Sequence, residues 1–372
     1  MKKTLSLILA MVMLLTVALT GCSSNAPTAQ TTGESQNTEG KKMKVGFIYV
    51  GPVGDGGWSF AHDEGRKYLE NELGVETFYQ ESVPEDPEVE KVINNMVDQG
   101  ATVIFATSFG FMDYVEKASK NHPNVKFLHC SGYKTTENMG NYFGKMYQAR
   151  YLSGIVAGMK TTTNKIGYVA AYEIPEVING INAFTLGVQS VNKDAVVKVK
   201  WTHTWYDPAK EKEAAKALLD EGVDVVTQHQ DTAGPQQAAE EKGAFAIGYN
   251  TDTSALVPKA FMTAPVWNWG PYYVETVKAI QAGTWKAEAY YTGLETGIVD
   301  IVPLTAIAPE GAKAIVDKAK AEMLTGKQLV FAGPLKDQTG AEKVASGSEM
   351  SEADILQMNW FVQGVEGELK VQ

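Results

Sequence analysis

The chain repeats itself. Lys44-Val45-Gly46-Phe47-Ile48-Tyr49 resembles Lys165-Ile166-Gly167-Tyr168-Val169-Ala170, and Asp98-Gln99-Gly100-Ala101-Thr102-Val103-Ile104 resembles Asp220-Glu221-Gly222-Val223-Asp224-Val225-Val226. The first pair is offset by 121 positions (44 to 165) and the second by 122 (98 to 220). Within each copy, short apolar runs such as Val45 to Val50 and Val103 to Ala106 alternate with helical periodicity, as in Val89, Val92, Ile93, Met96 and Val97. Buried strands alternating with helices make βα units on a parallel sheet. The duplication therefore predicts two similar α/β lobes, with a join near 158–164. A chain of 372 residues is long enough for two cores.

Composition narrows the function classes. A hydrophobic fraction of 44% and a charged fraction of 21% fit an ordinary globular protein. The net charge of −11 argues against nucleic-acid binding, which needs clustered Lys and Arg. The two cysteines, Cys22 and Cys130, cannot make a disulfide framework. Lys2 and Lys3 precede an apolar stretch from Thr4 to Leu19, and Leu19-Thr20-Gly21-Cys22 follows. That run is shorter than a membrane-spanning helix needs, and it reads as a signal peptide ending in a lipobox. The expected layout is a signal peptide over 1–21, then a lipidated Cys22 and a flexible Ser/Thr/Asn/Gln/Gly linker over 22–43. Lobe one would take 44–160 plus about 268–295, and lobe two 161–267 plus about 296–372. Cys130 follows the strand candidate Lys126 to His129 and reads as a small core residue.

Open parallel sheets hold ligands outside the carboxyl ends of their strands. In lobe one the relevant loops are 51–58 and 107–112; in lobe two they are 171–176, 202–207, 228–234 and 249–254. They carry Trp58, Phe109, Phe111, Trp205 and Tyr206 beside Asp55, Glu173, Asp231 and Asp252. Aromatic planes with hydrogen-bonding groups suit a flat, polar ligand, and two facing lobes suit hinge closure around it. The Gly51-Pro-Val-Gly-Asp-Gly-Gly57 turn resembles a phosphate cradle only superficially. It matches neither established phosphate-loop spacing, and Asp55 would repel phosphate. Five scattered histidines with no HxH, HExxH or CxxC spacing predict no metal. No GxSxG elbow exists and Cys130 has no evident base, so covalent catalysis lacks its usual parts, and no cofactor is expected. Trp267-Asn268-Trp269 lies where a hinge crossover should fall, and reads equally as cleft or as core.

At these residues the chain resembles the basic membrane protein family of substrate-binding lipoproteins of ABC importers, which includes purine nucleoside receptors. The resemblance spans roughly Lys44 to Leu369. It rests on Val53-Gly-Asp-Gly-Gly-Trp-Ser-Phe-Ala-His-Asp-Glu-Gly65, on Asp113 through His122-Pro-Asn-Val-Lys-Phe127, on Trp205-Tyr-Asp-Pro-Ala-Lys210 and on Ala246-Ile-Gly-Tyr-Asn-Thr-Asp252. It implies the type I periplasmic-binding-protein fold, with two Rossmann-like lobes, a hinge and a ligand cleft between them. It also implies a receptor rather than an enzyme, working as a lipid-anchored monomer outside the cytoplasm with an ABC permease as partner.

Site residues follow from the same resemblance. Trp58 and Trp205 stand where nucleoside binders place two stacking phenylalanines. A purine-contacting Asp matches Asp113, and a strand-one Asp falls on Tyr49. The Asp of the family's Ile-Gly-Val-Asp is Asn250 here, and a family Lys has no counterpart near Pro265 to Pro271. That Asp and Lys resemble the groups that hold ribose hydroxyls, Trp267 and Trp269 would instead crowd that part of the cleft, and Trp267 and Asn268 count among the expected ligand-binding residues. The expected ligand is thus a free purine base such as adenine. A nucleoside, a sugar stacked on the tryptophans, or an anchored nucleoside hydrolase are the rival readings.

Overall fold

The computed structural model describes residues 42–370. The expected signal peptide, Cys22 and nearly all of the linker lie outside the described residues. Lobe one is a parallel sheet of β1 (Lys44–Ile48), β2 (Glu76–Gln80), β3 (Val103–Ala106), β4 (Lys126–Cys130) and β5 (Met139–Gly144). Between these strands run α1 (Trp58–Leu73), α2 (Glu88–Asp98) and α3 (Met112–Asn121). After α4 (Met146–Lys160), lobe two repeats the scheme with β6 (Lys165–Ala170), β7 (Val196–Trp201), β8 (Val225–His229), β9 (Phe245–Ile247) and β10 (Phe261–Thr263). Its helices are α5 (Pro175–Val191), α6 (Pro208–Asp220) and α7 (Gly234–Glu241). The strand orders are β2-β1-β3-β4-β5 and β7-β6-β8-β9-β10, which is the same order twice. Each places its switch point between its first and third strands.

The chain then crosses between the lobes. Strand β11 (Pro265–Trp267) leads into α8 (Trp269–Gln281), which packs on α1 in lobe one, and β12 (Ala289–Thr292) joins that sheet beside β5. Strand β13 (Val299–Ile301) pairs antiparallel with β11, and α9 (Ala312–Leu324) follows. A hairpin of β14 (Leu335–Lys336) and β15 (Glu342–Val344), a short α10 (Glu352–Ile355) and β16 (Val365–Glu366) finish the chain, with β16 beside β7.

Strand burial follows from the parallel arrangement: Val45, Phe47 and Ile48 in β1, and all of β3, are covered on both faces. Helix α2 buries Val89, Val92, Ile93 and Met96 at helical spacing. Helix α4 departs from the expected lobe-one span of 44–160. It packs against α5 and α9, so the chain leaves the first sheet directly after β5 and not near 158–164. Small residues make this possible. A Cβ on Gly154 would sit 2.2 Å from the Phe184 carbonyl oxygen, and one on Gly187 would sit 2.1 Å from that of Tyr151. Two helix backbones meet where neither has a side chain.

Candidate functional site

The interlobe site starts at the turn before α1. Gly56 sits at φ +73, and Asp55 folds back to accept from the backbone N–H groups of Gly57 (2.7 Å), Ser59 (2.9 Å) and Phe60 (3.0 Å). These are the orphan donors of the α1 N-terminus, so Asp55 is a helix cap. Burial raises its carboxyl, and those three N–H groups partly counter the rise. The cap aims Trp58, the first residue of α1. Its Nε1 donates to the Thr107 carbonyl at 2.6 Å. Behind it stands an aromatic box: Trp58 meets Trp267, Trp269 and His62 edge-on at 81°, 85° and 83°. Trp267 in turn stacks on Trp269 at 4.5 Å and 14°. Trp58 is held in one plane while remaining half-buried.

Lobe two brings Trp205, whose Nε1 donates to Glu85 Oε2 at 3.3 Å across the cleft, with Tyr172 edge-on at 5.0 Å. Trp58 and Trp205 line one cavity with Val50, Ser108, Phe109, Ser131, Glu176, His229, Asp231 and Tyr249. The lobes already touch around it. Ser131 donates to Glu176, Thr251 donates to the Gly56 carbonyl, and a Cβ on Gly57 would lie 2.2 Å from the Asp231 carbonyl oxygen. The glycine turn that resembles a phosphate loop is what lets one lobe's backbone approach the other.

The cavity is acidic. Burial pushes the Glu176 carboxyl up to about 7, with Ser131 pulling it down and Glu85 adding to the rise. Burial also drives Asp231 well above the usual carboxylate range, reinforced by Asp55 and Glu211. His229 is kept neutral, lowered by burial and by the Arg150 guanidinium, and its Nε2 is 3.2 Å from the Tyr249 hydroxyl. Among the described residues, no Lys or Arg lines the cavity. A ligand with N–H donors meets acceptors here, whereas a phosphate meets no counter-charge.

Several expected site residues lie elsewhere. Asp113 is exposed on α3 and paired with Lys134 at 2.8 Å, because its helix turns it outward. Tyr49 is fully buried in lobe one, with its hydroxyl 3.4 Å from Asp63. Asn250 is buried and reaches Asp231, while Trp267 backs Trp58 and Asn268 is exposed at the crossover. Glu173 is 3.4 Å from His203 and lines an adjoining chamber with Glu85, Tyr172, Ile174 and Asn359, which shares Phe109 and Trp205 with the cavity. Sequence reasoning placed Glu176 and Tyr249 in ligand-side loops without singling them out, and left Ser131 out. The signal for Ser131 was available: it follows β4, whose carboxyl-end loop obeys the same rule as those after β1 and β3. Among the described residues, no cluster of His, Cys, Asp or Glu is arranged to hold a metal, and no helix is long and apolar enough to cross a membrane.

Two doubly wound lobes, crossed by the chain at a hinge and closing on a cavity between strand ends, define a periplasmic binding protein of type I. The match to known proteins is narrower. The family model of PnrA-like ABC transporter substrate-binding proteins covers residues 42–329, and the chain belongs to that family. A purine-binding protein of Brucella abortus is 42% identical over 331 residues, covering 88% of this chain and 94% of its own length. A Haloferax volcanii protein, whose name proposes an ABC transporter glucose-binding role, is 36% identical over 358 residues, covering 94% and 88%. An ABC transporter solute-binding protein of Aeropyrum pernix has the same fold, with a TM-score of 0.68 at 20% identity over 81% of this chain and 94% of that one. The family's role is extracytoplasmic substrate binding for a transporter.

Proposed function

We propose that this protein binds a free purine base, with adenine the best fit, and hands it to an ABC permease as a monomer tethered to the membrane through a lipidated Cys22. The observation that carries the reading is the placement of Trp58 and Trp205, from opposite lobes, on one cavity with acidic acceptors. Two indole faces suit a flat heterocycle, and Glu176 and Asp231 suit its amino and ring N–H donors. The purine-binding relative supports the same class. Phosphate-bearing ligands are disfavoured by the missing cation. The residue at the family's ribose-holding position, Asn250, spends its side chain on Asp231 and Trp267, so ribose hydroxyls would find no ready partner there.

A nucleoside is the second reading, because the adjoining chamber offers Glu173, Glu85 and Asn359 beside Trp205. Calorimetry with adenine, hypoxanthine, guanine, their nucleosides and glucose separates these. Adenine should bind at least about tenfold more tightly than adenosine, because ribose hydroxyls buried unpaired lose about 1–3 kcal/mol each. Equal or better nucleoside binding overturns base selectivity, and binding of glucose alone overturns the purine reading.

A further inference from the structure

The side chain of Asn250 joins two lobe-two parts of the site, one of which packs against lobe one. Its Nδ2 donates to Asp231 Oδ1 at 3.3 Å, and its Oδ1 accepts from Trp267 Nε1 at 3.0 Å. The backbone N–H of Trp267 also donates to the Asn250 carbonyl at 3.3 Å. Asn250 is 1% exposed and has φ +69, a left-handed conformation that Asn tolerates better than most residues. Trp267 then touches lobe one: it stacks on Trp269, meets Phe143 at 5.1 Å and meets the Trp58 ring edge-on at 5.6 Å. The Trp267–Trp269 pair brackets Asn268, where the chain passes from lobe two to lobe one.

We propose that Asn250 is a positioning residue for ligand binding, its amide tying the cleft carboxylate Asp231 to Trp267 and so registering the lobe-two edge reader against the lobe-one stacking ring Trp58. This rests on the cavity being the ligand site. An amide suits both partners. Asn presents a donor to the carboxylate and an acceptor to the indole from one planar group, and Gln would carry that group one methylene further out. An aspartate at 250 would keep the acceptor toward Trp267 and lose the donor, setting two buried carboxylates against each other.

Asp231 faces other titrating groups: Asp55 before α1, Glu211 on α6 and Glu176 on α5, with His229 at the end of β8 and Arg150 of α4 next to it. The test must isolate the Asn250 link from these. In ligand-free protein with 15N-labelled tryptophan, the Trp267 indole N–H resonance, assigned with Trp267→Phe, is followed from about pH 5 to about pH 9. The link predicts that Asn250→Ala moves this resonance, that Asp231→Asn removes any titration it shows, and that Glu211→Gln and Glu176→Gln leave that titration in place. A resonance that titrates unchanged in Asp231→Asn, or that Asn250→Ala leaves at its wild-type position, overturns the link. Calorimetry with adenine adds the binding arm. Asn250→Asp should weaken adenine by at least about tenfold near pH 8 and by less near pH 5.5, because acid favours the form in which the paired carboxyls share a proton. Asn250→Asp that binds adenine as wild type does at both values also overturns it. Wild-type protein in which Asn250→Ala moves the Trp267 resonance but which binds no purine would leave the link standing and remove the purine reading instead.

Discussion

Trp58 and Trp205 reach the same cavity by different local means, and their substitutions should part company for that reason. Trp58 is boxed by Trp267, Trp269 and His62, whereas Trp205 sits on a loop against Tyr172 and Glu85. Each change to Ala should weaken adenine by about 1–3 kcal/mol, the usual worth of stacking one base on an aromatic ring. Trp58→Ala should also lower the melting temperature, because it opens a void in a packed aromatic cluster, while Trp205→Ala should leave it nearly unchanged. Calorimetry and thermal unfolding of the two variants check both halves. That Trp58 and Trp205 come to one cavity was legible in sequence, because large aromatics at Gly- and polar-rich turns are less readily absorbed into a strand or helix core. The carboxylates were less so. Asp55 and Asp113 look alike in one dimension, yet one is spent on a helix N-terminus and the other on a surface lysine, since side-chain direction depends on a turn's dihedral angles.

Helix α6 illustrates how an element can hold the site without touching ligand. Its Glu211 accepts from the Asp207 N–H at 3.0 Å and the Thr232 N–H at 3.1 Å, tying the Trp205 loop to the loop that carries Asp231. Burial raises the Glu211 carboxyl to about 7 despite those bonds. An acid with a raised folded pKa binds more protons in the native state, so its contribution to stability falls as pH rises from its unfolded value, near 4.5, to about 7. Glu211→Gln removes that dependence. Relative to wild type the variant should gain stability between about pH 5 and about pH 8, by roughly 1–3 kcal/mol after allowance for incomplete burial. Denaturant unfolding at the two pH values measures it, and a pH-independent difference would contradict the assignment. At this scale the repeated strands could be read directly from apolar runs. Helix α4 could not: nothing local in Met146–Lys160 says which sheet it covers, and its packing against α5 and α9, with Gly154 and Gly187 in close approach, shows that it serves lobe two.

For the molecule as a whole, duplication explains both the twofold architecture and the position of the cavity. Two sheets of the same strand order turn their carboxyl ends toward each other, and each lobe supplies one tryptophan and its own polar groups to the cavity. A ligand bridging them gains both stacking faces only when the lobes are together, so it must favour the closed state by that differential affinity. The bonds that already cross the cleft, from Ser131 to Glu176, from Thr251 to the Gly56 carbonyl and from Trp205 to Glu85, are polar, which suits a form that opens to release its cargo. The most direct test follows the distance between lobes by fluorescence transfer, with probes on exposed Tyr133 of lobe one and exposed Leu256 of lobe two, each replaced by cysteine. Saturating adenine should narrow the distance distribution and shift it to the closed value in wild type, and should fail to do so in the Trp58→Ala, Trp205→Ala double variant. A distribution in wild type that adenine leaves unchanged, or one that the double variant reproduces in full, would contradict a purine closing the lobes between its two tryptophans.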